Sequence, residues 1–181
     1  MMRYNLLCFF WILMTFLSSC SPFTVLDADS VEGFRLANYK TFDFVDVEIS
    51  GRALGEAQSP QVELLKSEIA KQLAARGLTY DSGNADLAIN IGIVVADKVQ
   101  TRQTDYRTDA PRYVGQRRYT WKSQEVEVGR YKEGTLSLHL VEREKNELVW
   151  QGAIEAVVPK DADKQKGDIV EGVKKLISTI P

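Results

Sequence analysis

Apolar and polar positions alternate most strictly between residues 86 and 95. Leu87, Ile89, Ile91, Ile93 and Val95 take every second place, and Ala88, Asn90 and Gly92 fall between them. A period of two over this length predicts a half-buried strand. The small residues on its second face imply another layer or a close backbone neighbour there. Shorter alternations predict strands at 24–27 and at 39–45, the latter with Phe42 and Phe44 inward. The pattern is strand-like again from 119 to 128, with a turn expected at Gly129 or Gly134. A last hairpin spans 135–141 and 148–158 around 144–147, with Leu136, Leu138 and Leu140 facing the core beside Leu148, Trp150, Ile154 and Ala156.

Two stretches follow the helical period instead. Val62, Leu65, Ile69 and Leu73 form one stripe, opened by Ser59-Pro60 and closed by Gly77, with Leu78 placed to fold back on Leu73. From 163 to 180 the stripe is Ile169, Val173, Leu176, Ile177 and Ile180, weakened by Gly167 and Gly172. Small residues at 51–57 read as a loop. No repeat or long linker divides the chain. The expected fold is α+β: a two-layer sandwich, a mostly antiparallel sheet of about six strands with two helices packed on one face, forming one domain over 25–181.

The N-terminus has a separate pattern. Arg3 precedes an apolar run from 6 to 16, too short to span a bilayer comfortably. Leu17-Ser18-Ser19-Cys20 follows, and this is similar to a bacterial lipobox. The reading is a signal peptide over 1–19, cleavage between Ser19 and Cys20, a diacylglycerol and an N-acyl chain on Cys20, and a tether over 20–24. Two or three acyl chains hold a protein firmly on a membrane. Ser21, rather than Asp, after the cysteine is similar to Gram-negative lipoproteins of the outer membrane, which places the chain on the periplasmic face.

Composition narrows the chemistry. The 181 residues carry a net charge of −2, one His and two Cys. The balance argues against a generic nucleic-acid binder. Cys8 leaves with the signal and Cys20 carries lipid, so thiol catalysis has no residue to use. His139, between Leu138 and Leu140, lacks a second His for a metal site; Glu125, Glu127 or Glu142 could approach it, although a solvated strand His is the simpler reading. Asp43, Asp46, Glu48, Glu125 and Glu127 read as a soluble face rather than a catalytic pair. No catalytic residue, metal or cofactor is expected beyond the lipid. Trp150 reads as core, with Gly152 leaving room for a ring or a crossing helix.

From 98 to 118 the apolar pattern collapses into a long hairpin tip. Arg102, Arg107, Arg112, Arg117 and Arg118 are interleaved with Tyr106 and Tyr113, and Trp121 follows. Arginines grip phosphate or carboxylate, and aromatic residues supply rigid contact area. The tip is thus either a contact for an anionic envelope component or envelope protein, or a solvated hairpin.

Several segments together resemble the domain-of-unknown-function family 4136, small bacterial lipoproteins. They are Asp27 and Asp29 in an early strand, Asn38-Tyr39-Lys40-Thr41-Phe42, Leu73-Ala74-Ala75-Arg76-Gly77-Leu78, Ala85-Asp86-Leu87, Tyr131-Lys132-Glu133-Gly134-Thr135-Leu136 and Glu147-Leu148-Val149-Trp150-Gln151-Gly152. His139 stands where that family tends to have Asp. The resemblance implies an α+β sandwich and a lipid anchor, and no established activity. The expected function is a membrane-anchored, non-enzymatic binding or assembly module. A carrier of a lipid or small ligand between helices and sheet is the alternative, and a cell-wall hydrolase a third.

Overall fold

The structure is a computed structural model that describes residues 22–51, 60–109 and 122–181. The lipobox, the loop at 52–57 and the Ser59 cap lie outside these residues. Strands β1 (Thr24–Ser30), β2 (Thr41–Gly51), β3 (Thr79–Tyr80), β4 (Leu87–Gln103), β5 (Glu125–Glu142) and β6 (Glu147–Val158) form one sheet in the order β1-β6-β5-β4-β2-β3. Helices α1 (Pro60–Ala75) and α3 (Ala162–Ile177) cover one face. A single-turn helix, α2 (Tyr106–Asp109), sits at the far end of β4, and a 3₁₀ turn spans Leu36–Asn38.

The α+β sandwich is as expected, but the sheet is mixed rather than mostly antiparallel. β1–β6, β6–β5 and β5–β4 pair antiparallel, whereas β2 pairs parallel with both β4 and β3. The reason is the helix between β2 and β4. It carries the chain back to the starting end, so the next strand runs the same way. The helix count also differs, by the single turn of α2.

The long alternation in β4 does what its period requires. Leu87, Ile89, Ile91, Ile93 and Val95 all face the helices and are buried. They meet Leu140, Leu138 and Leu136 on β5, and the stripes Val62, Leu65, Ile69, Leu73 and Val173, Leu176, Ile177 close over them. The other face has no second layer among the described residues. Asn90, His139 and Gln151 lie side by side there across three strands. α1 ends as read: Gly77 is left-handed (φ 95°), and the Leu78 amide donates to the Leu73 carbonyl at 3.1 Å. Asp161 caps α3 by accepting from the Lys164 amide at 2.8 Å.

Three other expectations are corrected. The strand does not stop where apolar alternation stops, since β4 continues to Gln103 and β5 begins at Glu125. No turn occurs at Gly129 or Gly134; β5 runs straight through both. Leu148 does not face the core, because the register between β5 and β6 shifts after Leu140 and buries Val149 together with Trp150.

Candidate functional site

The two ends of this sandwich differ. At one end Asn38–Phe42 and Ala85–Leu87, segments 46 residues apart in chain, are locked together: one Asp86 carboxylate oxygen accepts from the Lys40 amide at 2.7 Å and the Thr41 amide at 3.0 Å. The Thr41 hydroxyl accepts in return from the Asp86 amide at 2.9 Å. The Lys40 amide and its neighbour hold the Asp86 carboxyl below the usual carboxylate range. Trp150 fills the space above Gly152, where a Cβ would overlap its ring and reach 3.0 Å from Leu176. Both neighbours expected for Gly152, a ring and a helix, are present. These family-like segments are therefore structural.

At the other end the helices begin and the layers part. The chain leaves β6 at Val158 and enters α3 four residues later, and only small side chains occupy several facing positions. The result is an apolar groove of about 810 Å³. Its floor is Ile93, Val95, Leu136, Ile154 and Ala156 on the sheet. Its walls are Val62 and Leu65 of α1 and Ile169 and Val173 of α3. Phe23 stands at its edge, with its ring beside Gly172, where an added Cβ would lie 3.3 Å from it. The Phe23 carbonyl accepts from Lys175 Nζ at 2.7 Å. Charged groups stay at the rim: Asp97, Arg130, Lys132, Lys160 and Asp168. Asp97 stands opposite Lys132 across the ladder.

Beyond this end β4 and β5 continue as a two-stranded arm. The last described pair of β2 with β4 is Gly51 with Val95, where Gly51, left-handed at φ 104°, approaches the Val95 carbonyl too closely for a Cβ. β6 stops pairing with β5 at Lys132. From Ala96 to Gln103 and from Glu125 to Tyr131 the strands pair only with each other among the described residues. Eight residues of strand extend roughly 25 Å. A bulge at Gln100/Thr101 sets Val128 out of register. Glu127 pairs with Arg130 at 2.6 Å, and Lys98 pairs with Glu133 at 2.9 Å.

The predicted contact residues divide accordingly. Arg102 is already engaged: its guanidinium grips both oxygens of Asp109, at 2.5 and 2.6 Å. That grip, with the Asp105 amide, holds Asp109 well below the carboxylate range. Tyr106 and Arg107 are exposed on α2, and no ion pair of Arg107 occurs among the described residues. Arg112, Arg117, Arg118, Tyr113 and Trp121 lie outside the described residues, as do Ser19 and Cys20. His139 is exposed and lies between Asn90 and Gln151, with none of Glu125, Glu127 or Glu142 beside it in the register. Among the described residues no group of three or more His, Cys, Asp or Glu is arranged to hold a metal, and no helix is long and apolar enough to cross a membrane.

Sequence reasoning held a ligand between helices and sheet only as an alternative and named none of the groove's residues as a site. Phe23 falls in the expected tether yet is buried, and Gly172 reads as a weakness in α3 yet seats the Phe23 ring. The signal available was the pairing of small residues, Gly134, Ala156 and Gly172, on three different elements.

The model of the domain of unknown function DUF4136 matches residues 26–181. The chain belongs to the DUF4136 family. A DUF4136 family protein from Bacteroides thetaiotaomicron has the same fold, with a TM-score of 0.50 at 12% identity over 86% of this chain and 94% of that one. PelC from Paraburkholderia phytofirmans, solved as a dodecamer, is similar at a TM-score of 0.50 and 15% identity, over 87% of this chain and 96% of that one. A PDZ domain protein from Parabacteroides distasonis matches at a TM-score of 0.46 and 15% identity. This chain covers 88% of itself there but spans only 35% of that longer protein. No curated protein matches the chain in sequence. At these identities the DUF4136 likeness speaks to fold, and the site must be read from its own chemistry.

Proposed function

We propose that this DUF4136 chain is a lipid-anchored, non-enzymatic module of the bacterial envelope, facing the periplasm from the outer membrane, that holds the apolar part of an amphiphilic ligand in the groove between α1, α3 and the sheet. The groove carries the reading. Its volume of about 810 Å³ falls in the range of about 300–1,000 Å³ usual for ligand sites. Its apolar floor and charged rim suit a molecule with a greasy body and a polar head. The lipobox supports the same reading. Cys20 lies three residues before Phe23, a stretch of at most about 11 Å, so a lipid on Cys20 holds the groove mouth near its bilayer.

The test uses residues 20–181 carrying Cys20→Ala, which contain every buried core residue of the described fold. Native mass spectrometry of the freshly purified chain is expected to show a bound amphiphile, and the chain is expected to bind a fluorescent fatty-acid probe. Ala156→Trp, which fills the groove floor, is expected to abolish probe binding while the chain stays folded. Absence of both bound amphiphile and probe binding would sink the groove reading. The anchor is tested apart from it: in cells, Cys20→Ala is expected to abolish lipid labelling and release the chain from the membrane fraction.

A further inference from the structure

We infer, resting on the groove reading above, that Phe23 is the end stop of the groove and sets the longest straight-chain amphiphile that the groove accepts. On the helix side of the sheet, residues paired across β4, β5 and β6 form three rows. The inner row is Ile93, Leu136 and Ile154, continued by Val25 on β1, a shelf of bulky side chains. The middle row is Val95, Gly134 and Ala156. Its last two members carry little or no side chain, so a trough runs along it across the strands. The outer row is Asp97, Lys132 and Val158, where the trough meets the charged rim.

Phe23 ends the middle row on the β1 side. Thr24 pairs with Glu155, so the residue before it comes level with Ala156. The Phe23 side chain is buried, at 6% exposure. Two contacts from α3 fix it there. Its ring lies at Gly172, where an added Cβ would be 3.3 Å from it, and Lys175 Nζ donates to its carbonyl at 2.7 Å. The helix that walls the groove therefore also holds the stop. At the opposite end the row continues to Gly51 of β2, which has no side chain. Among the described residues the row is closed at one end, by an aromatic ring.

An alkyl chain lying in the middle row, with its polar head at the rim, lengthens toward that ring. While room remains, each further buried methylene strengthens binding about fourfold. Once the chain end meets Phe23, a further methylene finds only packed protein and adds nothing, because interiors do not yield to extra volume without strain.

The experiment reads that break. Residues 20–181 carrying Cys20→Ala are loaded with the fluorescent fatty-acid probe, and saturated fatty acids of increasing length compete for it. With Phe23 in place, affinity is expected to climb about fourfold per methylene and then level off. In Phe23→Ala the break is expected to move to longer chains by about two methylenes, so that the acid ending there gains about tenfold. Phe23→Leu, which keeps an apolar side chain against Gly172, is expected to move the break less and to leave the thermal midpoint close to that of the parent. A ring that only secures β1 would behave otherwise: its loss would weaken every chain length alike. That uniform loss, an unmoved break in both variants, or no break in the parent series would overturn the end stop while leaving the groove as a ligand site. A parent chain that binds no probe and no fatty acid of any length would overturn both.

Discussion

Within the single strand β4 the fold passes from a sealed core to open structure. Leu87 and Ile89 are fully buried, Ile93 and Val95 are 8% and 7% exposed, and Val99 is 51% exposed. The first pair lies under Leu73, Leu140 and Leu176 at an end closed by Trp150 and the Asp86 lock. The second floors the groove, and the last stands on the arm. The backbone hydrogen bonding to β5 continues throughout, so the ladder does not set the difference. What changes is the number of elements sharing the strand: sheet neighbours on both sides with helices above, then helices that diverge, then one neighbour. Stability is concentrated where all of these meet, and binding surface is available where they part.

The largest effect expected from this contrast is in the core. Leu138→Ala and Ile89→Ala at the sealed end should each cost about 3–5 kcal/mol, because a close-packed site cannot collapse around the void. Val95→Ala on the groove floor should cost about 1 kcal/mol, since its side chain already borders open space. Urea unfolding of the three variants decides this, and equal losses would remove the distinction between the ends. Gly152→Ala comes next, at about 1–3 kcal/mol. The added methyl overlaps the Trp150 ring and presses on Leu176, so the thermal midpoint should drop although no contact is deleted.

The sealed end was also the part legible in the sequence. Leu87, Ile89 and Ile91 of β4 alternate without a miss, and the helix stripes recur at three and four residues, so face and burial could be assigned residue by residue in these elements. Three features were not legible, each for a physical reason. Parallel pairing of β2 with β4 is a property of the connection, and an alternating strand reads the same in either direction. The bulge that buries Val149 and exposes Leu148 depends on how two strands settle against each other, which neither strand encodes alone. The arm has no buried face, so apolar alternation, the signal used to find strands, is absent by construction. The strand geometry of the arm and the Arg102–Asp109 pair required coordinates. The groove's lining could not be assigned residue by residue because Gly134, Ala156 and Gly172 are unremarkable singly and come together only when three elements converge.

Acid should separate the two ends further, with a smaller effect than core truncation. Asp86 at the sealed end and Asp109 on the arm both have carboxyls held below the ordinary value, the first by the Lys40 and Thr41 amides, the second by Arg102. A depressed folded-state value means that each contributes stability fully above the unfolded value of about 3.9 and loses it as pH falls through the folded one. The consequences differ because the groups lock different things. For Asp86→Asn the urea midpoint should drop at pH 7 and change less than wild type between pH 5 and pH 3, since the carboxylate's pH-dependent contribution is gone. For Asp109→Asn the global midpoint should hold, while amide exchange at Thr104, Asp105 and Asp109 accelerates. A global loss in Asp109→Asn would show that the arm unfolds with the core.

The smallest effect is expected at Arg107, and it sharpens the comparison because it is near zero. Arg107 is exposed on a single helical turn, and its backbone N–H keeps its partner when the side chain is cut, donating to the Asp105 carboxylate at 2.7 Å. The side chain has no ion pair among the described residues to lose, and surface truncations away from caps and packed sites stay within about 0.5 kcal/mol. Arg107→Ala should therefore leave urea and thermal midpoints unchanged within that margin. Arg102→Ala, five residues earlier at the end of β4, should loosen the arm, because it releases Asp109 from its principal partner. If the two alanine variants behave alike in amide exchange of 97–109, the Arg102–Asp109 pair holds nothing. If Arg107→Ala costs as much as Val95→Ala, the arm is not the exposed, contact-poor ribbon that its pairing shows.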